Sequence, residues 1–179
     1  MVRITISGHP GSGTSTLVEG LSNHFDWSSI NGGEIFRKEA AKNGMSLSDF
    51  GKLCATDESI DKNLDHILKQ EITRDNGPEI VESRLSGWWA HLEDVSCIRM
   101  WLSVNEISRA ERVVSREGCS VDEALEVNQK RVERDLKRYD KLYGINPEDR
   151  LPYTHVIEAT TLTAEEILLQ VIDIMEELS

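Results

Sequence analysis

Gly8-His9-Pro10-Gly11-Ser12-Gly13-Thr14-Ser15 decides how the rest of this sequence is read. The stretch fits the pattern G-x-x-x-x-G-K-[ST] at every fixed position but one, Thr14 standing where the lysine would be. Its glycines let the backbone curl until successive N–H groups converge on a phosphate. A helix beginning just behind it adds the positive end of its dipole, and Ser15 has the position whose hydroxyl ligates Mg²⁺. The flanks agree. Residues 2–7 are rich in β-branched side chains, and Leu17, Val18, Leu21 and Phe25 repeat at helical spacing after the loop. A strand, a glycine loop and a helix in that order leave little room for the competing reading, a turn with no ligand.

Working outward, helices are expected at 33–43, from the Ser46 cap onward, and at 58–74, 85–92, 105–117, 121–142 and 163–178. Further strands are expected at 79–82, 97–103 and 154–158. Alternation of this kind implies an α/β fold, a parallel sheet covered on both faces with its site at the strand C-terminal ends. Two stretches depart from that rhythm, a helical excursion at 38–75 and a charged one at 117–138, and each reads as a flap on the core. The chain has 179 residues, which fits one domain. A net charge of −12 argues against a non-specific nucleic-acid binder, and no stretch is apolar enough to span a bilayer. Cys54, Cys97 and Cys119 are scattered, as expected of free thiols in a reducing cytoplasm rather than of disulfides or a zinc site.

With no lysine in the loop, a bound triphosphate needs positive charge from elsewhere. Arg109, Arg112 and Arg116 recur at i, i+3 and i+7, and so do Arg131, Arg134 and Arg138, each set along one helix face. Arginine suits phosphoryl oxygens because its planar fork donates two parallel hydrogen bonds. The bland alternative is a solvated helix laced by pairs such as Arg131–Asp135. Arg37, one turn into a helix, and Arg84, at the end of a strand, face the same crevice and suggest a second bound phosphate. Glu82 ends an apolar strand, where an acid can hold Mg²⁺. Asp57, Asp61 and Asp65 line one helix face, and carboxylates there could accept from a base amino group or a ribose hydroxyl. A merely solvated face is the alternative. No Ser-His-Asp arrangement and no histidine metal spacing is evident, and Trp88-Trp89 reads as helix packing.

The order G-x-x-G-S-G-T-[ST]-T, G-x-I-F-R, E-x-R-L-x-G-W, R-A-E-R-V-x-x-R-E-G and K-R-Y-x-x-L-Y-G-I resembles the archaeal-type cytidylate kinases, a branch of the P-loop nucleoside monophosphate kinases. The likeness runs from about residue 3 to residue 178. It implies a three-layer fold with a five-stranded parallel sheet (core 1–37, 76–116 and 139–179), an acceptor-binding insert at 38–75 and a lid at 117–138. By motif, Gly8, His9, Pro10, Gly11, Ser12, Gly13, Thr14, Ser15 and Thr16 would hold the ATP phosphates. Arg37 and Arg84 would bind the acceptor phosphate, beside Asp61 and Asp65, read above as candidates for the acceptor's base or ribose, and Ser15 and Glu82, read above as candidates for Mg²⁺. Arg112, Arg116, Arg131 and Arg134 would act on the transferring phosphoryl group. The implied reaction is transfer from ATP to CMP or dCMP by a cytoplasmic monomer. A kinase for UMP or AMP, or a nucleotide-binding protein without turnover, are the alternatives. Ser83, Asn146 and Thr154-His155 depart from the family pattern.

Overall fold

The computed structural model describes residues 1–118 and 120–177, without the side chains of Ser48, Ala55, Arg116 and Glu117. Five strands form one parallel sheet: β1 (Ile4–Gly8), β2 (Ser29–Asn31), β3 (Ile80–Glu82), β4 (Ile98–Ser103) and β5 (His155–Glu158), in the order β2-β3-β1-β4-β5. β1 therefore lies in the centre, and all five of its residues are buried. Its two faces differ in chemistry: Ile4 and Ile6 enter one apolar layer, while Thr5 and Ser7 are buried polar residues on the other, Ser7 Oγ meeting Ser86 Oγ at 3.1 Å.

Alternate side chains along the strands serve opposite layers. Ile4, Ile6, Ile80, Met100, Leu102 and Ile157 pack on Leu17, Val18 and Leu21 of α1 (Thr14–Phe25) and on Ile167, Val171 and Met175 of α8 (Ala164–Glu177). On the other face, Val81 and Trp101 meet Leu68 and Ile72 of α4 (Glu58–Thr73), Trp88 and Trp89 of α5 (Ser86–Leu92) and Tyr139 of α7 (Val121–Tyr143). Trp89 is 1 % exposed, so the Trp88-Trp89 pair is core, as its helical setting suggested. α2 (Gly32–Lys42), α3 (Leu47–Thr56) and α4 share a small cluster of their own around Ala40, Phe50 and Cys54. α6 (Glu106–Glu117) packs on α7 through Ala110, Val113 and Ala124.

Helix starts follow the cap chemistry. Asn31, Ser46, Asp57 and Asn105 each accept a backbone N–H of the first turn, and Ser120 forms a capping box with Glu123. Gly118 and Gly144 end α6 and α7 in the left-handed region. One element differs from the sequence reading. β2 has three residues and one apolar side chain, and only its pairing with β3 makes it a strand. α7 runs unbroken from Val121 to Tyr143, matching the helix expected at 121–142. The expected helix end at Leu178, and Cys119, lie outside the described residues, whereas Cys54 and Cys97 are free thiols. Among the described residues no helix is long and apolar enough to cross a membrane.

Candidate functional site

The loop between β1 and α1 turns on two glycines in the left-handed region, Gly11 at φ +85° and Gly13 at φ +92°. A Cβ on Gly11 would stand 2.6 Å from the Arg109 carbonyl oxygen, so both conformation and space require glycine there. Gly13 also has no side chain to occupy the first N–H groups of α1, which are left to face a ligand.

This loop forms one wall of a crevice of about 590 Å³ at the C-terminal ends of β1, β2 and β3. Gly8, His9, Pro10, Gly11, Thr14 and Ser15 line it from the loop, and Arg37 from α2. Asp61 and Asp65 line it from α4, Glu82 and Arg84 from the end of β3, and Arg131 and Arg134 from α7. Residues far apart in sequence thus converge on one space.

Thr14 Oγ1 donates to Glu82 Oε1 over 2.9 Å. Burial pushes the Glu82 carboxyl above its usual range, with the Thr14 hydroxyl and the Arg84 charge only partly opposing it. A carboxylate held in this way, with Ser15 on the same wall, has the hard oxygen donors and the unmet charge that suit Mg²⁺. Among the described residues no group of three or more His, Cys, Asp or Glu could hold a metal alone, so phosphate oxygens would have to complete the coordination.

Arg84 Nε lies 2.5 Å from Asp135 Oδ2, an ion-pair contact not aligned as a hydrogen bond. Arg134 Nη2 approaches the other oxygen of that carboxylate at 3.5 Å. Arg138 Nη1 donates to Asp61 at 3.0 Å, and Tyr143 donates its hydroxyl to Asp65 at 2.7 Å. Burial raises both aspartates above their ordinary range despite these partners. It also pushes the Tyr139 phenol up to about 12. Arg37 is exposed and able to reorient.

The arginine stripes divide. Arg109 is buried beneath the loop, its guanidinium donating to the carbonyls of Val104 and Pro10. Arg112 donates to the carbonyls of Ser12, Ala159 and Leu162 at 2.8, 2.6 and 3.3 Å. It lines a second cavity of about 530 Å³ with Gly13, Thr16 and Leu162, on the other side of the loop from Arg131 and Arg134. Ser12 is buried within the loop. The expectation for Arg116 concerns a side chain outside the described residues. Arg138, expected only as part of an arginine stripe, pairs with Asp61, while Asp135 and Tyr139 line the crevice and Tyr143 bonds Asp65 without having been expected there. Asp135 was legible only as an Arg131 partner on the same helix, whereas in the fold it also faces Arg84.

A family described as an AAA domain matches residues 4–136. The chain is 36 % identical over 172 residues to a cytidylate kinase from Methanopyrus kandleri, covering 92 % of this chain and 88 % of the relative. It is 35 % identical over 179 residues to a cytidylate kinase from Thermoplasma volcanium, covering 99 % and 93 %. Solved structures share the fold at low identity. A protein from Eubacterium ventriosum aligns with a TM-score of 0.74 at 14 % identity, over 98 % of this chain and 99 % of that one. A shikimate kinase from Bacteroides thetaiotaomicron aligns at 0.59 and 15 %, over 98 % of both chains.

Proposed function

Because the chain belongs to the cytidylate kinase family of P-loop phosphotransferases, we propose that it transfers the γ-phosphoryl group of ATP to CMP or dCMP, giving ADP and CDP or dCDP. The observation that carries this reading is the single crevice shared by the glycine loop, Arg37 of α2, Arg84 at the end of β3 and two more arginines on α7. A donor's phosphates fit the loop, and an acceptor's phosphate fits Arg37 and Arg84. The hydrophobic and acidic side of the crevice, with Phe36, Leu64, Asp61 and Asp65, suits a base and ribose.

The acceptor phosphate is already ionised at neutral pH, so no protein nucleophile or strong base is needed. The work of the chain is in-line positioning and stabilisation of charge on the phosphoryl oxygens. Loop N–H groups and the α1 N-terminus hold the donor, while Arg131 and Arg134 face the space between donor and acceptor. Mg²⁺ bound by Ser15 and Glu82 would neutralise donor phosphate charge. Thr16 and Arg112 serve the donor from the far side of the loop, Arg112 by fixing the Ser12 carbonyl. We assign α3 and α4 to the acceptor insert and the N-terminal part of α7 to a lid that excludes water. A monomer acting in the cytoplasm completes the reading.

A coupled assay of ADP release with ATP, Mg²⁺ and each common monophosphate tests it. Turnover that requires CMP or dCMP is expected. Preference for UMP or AMP would reassign the acceptor, and saturable ATP binding without acceptor-dependent turnover would overturn the transferase reading.

A further inference from the structure

Within residues 8–16, His9 is the one side chain that titrates near neutrality. Its Nε2 stands 2.7 Å from Glu148 Oε1, and its ring meets Trp101 of β4 edge-on, centroids 5.1 Å apart. Glu148 belongs to the 144–154 connection that carries α7 into β5. That connection is itself pinned, because Trp88 Nε1 donates to the Asn146 carbonyl at 3.2 Å and the Tyr153 hydroxyl to the Pro147 carbonyl at 2.8 Å. Glu148 is therefore an anion on a fixed backbone, while His9 lines the crevice.

Resting on the reading that ATP phosphates occupy this loop, we propose that donor binding draws a proton from solvent onto His9. The His9–Glu148 contact then changes from a hydrogen bond between an uncharged ring and a carboxylate into an ion pair that locks the α7–β5 connection to the phosphate loop. With Nε2–H donating to Glu148, Nδ1 is the nitrogen that takes the proton. The charges facing the ring are Glu148 from the connection, which favours the imidazolium, and Arg109 from α6 and Arg84 beyond β3, which oppose it. Burial sides with the arginines and holds the ring below its ordinary value, so it is largely neutral near pH 7 in the free protein. Several phosphate charges arriving on the same loop reverse that balance. Thr14, at the lysine position, has a neutral hydroxyl already bonded to Glu82 and does not meet that need. His9 is thus a positioning residue, acting on the α7 connection through Glu148.

The test is calorimetry of ATP binding at about pH 7.5, without acceptor, in two buffers of different ionisation enthalpy, which reads protons taken up per ATP bound. ATP's own ionisation contributes to every variant, so differences between variants isolate the ring. Wild type is expected to take up more protons than His9→Asn, by a sizeable fraction of one. Glu148→Gln, which leaves the ring in place, is expected to lose much of the same uptake. As pH falls from about 8 to 6.5, KM for ATP should improve in wild type relative to His9→Asn, with KM for CMP unmoved. Equal proton uptake in wild type and both variants, with ATP still bound, would overturn the proposal. No ATP binding by the wild type would instead overturn the donor-site reading on which it rests.

Discussion

Thr14 Oγ1 donates to Glu82 Oε1 at 2.9 Å, joining the first residue of α1 to the last residue of β3. The position that would otherwise bring a lysine charge to the phosphates here orients an acid instead. Positive charge then has to come from residues outside the loop and from the metal, and each source can be removed separately.

Glu82→Gln keeps an acceptor for Thr14 but removes the charge. We expect kcat to fall by a factor on the order of 10²–10³, with a rise in the Mg²⁺ concentration needed for half-maximal rate. A titration of rate against Mg²⁺ reads both, and an unchanged Mg²⁺ dependence would remove Glu82 from the metal site.

Arg131→Ala or Arg134→Ala should lower kcat by about 10²–10³ while KM for ATP changes little, as losing a transition-state donor does. Arg112→Ala should do the reverse. Its guanidinium holds three backbone carbonyls around the loop, so KM for ATP rises and the loop loosens. Steady-state kinetics on the three variants separates the two sides of the loop.

Arg84→Ala removes a guanidinium that faces both the crevice and Asp135. KM for CMP should rise roughly 10- to 100-fold, the range of one lost charge-assisted hydrogen bond or ion pair. KM for ATP is the internal control, and an equal rise in both would contradict a dedicated acceptor role.

Asp65→Asn tests the electrostatics of the α4 wall. Burial raises the Asp65 carboxyl, so the ionised form is disfavoured in the fold relative to the unfolded chain. Between the ordinary value of 3.8 and the raised one, the native state binds more protons, and stability falls as pH rises through that window. The asparagine, still able to accept from Tyr143, should raise Tm at neutral pH by about 2–4 °C for each kcal/mol relieved. Its advantage should fade as pH drops through the raised value and be gone well below 3.8, where the carboxyl is protonated in both the folded and the unfolded chain. Thermal unfolding of the two proteins across pH gives the comparison.

Local chemistry made much of this fold legible. Pattern and caps placed α1, α4, α6 and α7 to within about a residue at their starts, because the side chains that specify those starts lie in the same few residues. β2 escaped because Ser29-Ile30-Asn31 has no periodicity to read and becomes a strand only against β3, some fifty residues on. Within the site, helical spacing correctly put Arg109 and Arg112 on one face but was silent on what that face meets. One arginine is swallowed under the loop and the other clasps it, although both had looked like free charge. Asp135 shows the same gap. Its neighbour at i−4 suggested a solvated ion pair, and only tertiary packing brings Arg84 to it.

The placement of β1 also governs how the chain can acquire its structure during synthesis. β1 has no hydrogen-bonding neighbour in the sheet until residues 80–82 exist, and its second flank waits for residues 98–103. Until synthesis passes residue 82 both edges of β1 are unpaired, and until it passes residue 103 one still is, leaving Ile4 and Ile6 on a strand of the type on which holding chaperones act. Helices α2, α3 and α4, with their own cluster, can form in that interval. Closure of the phosphate loop is a late event, because Arg109 and Arg112 brace it from α6 and the residues after β5 supply the remaining carbonyls.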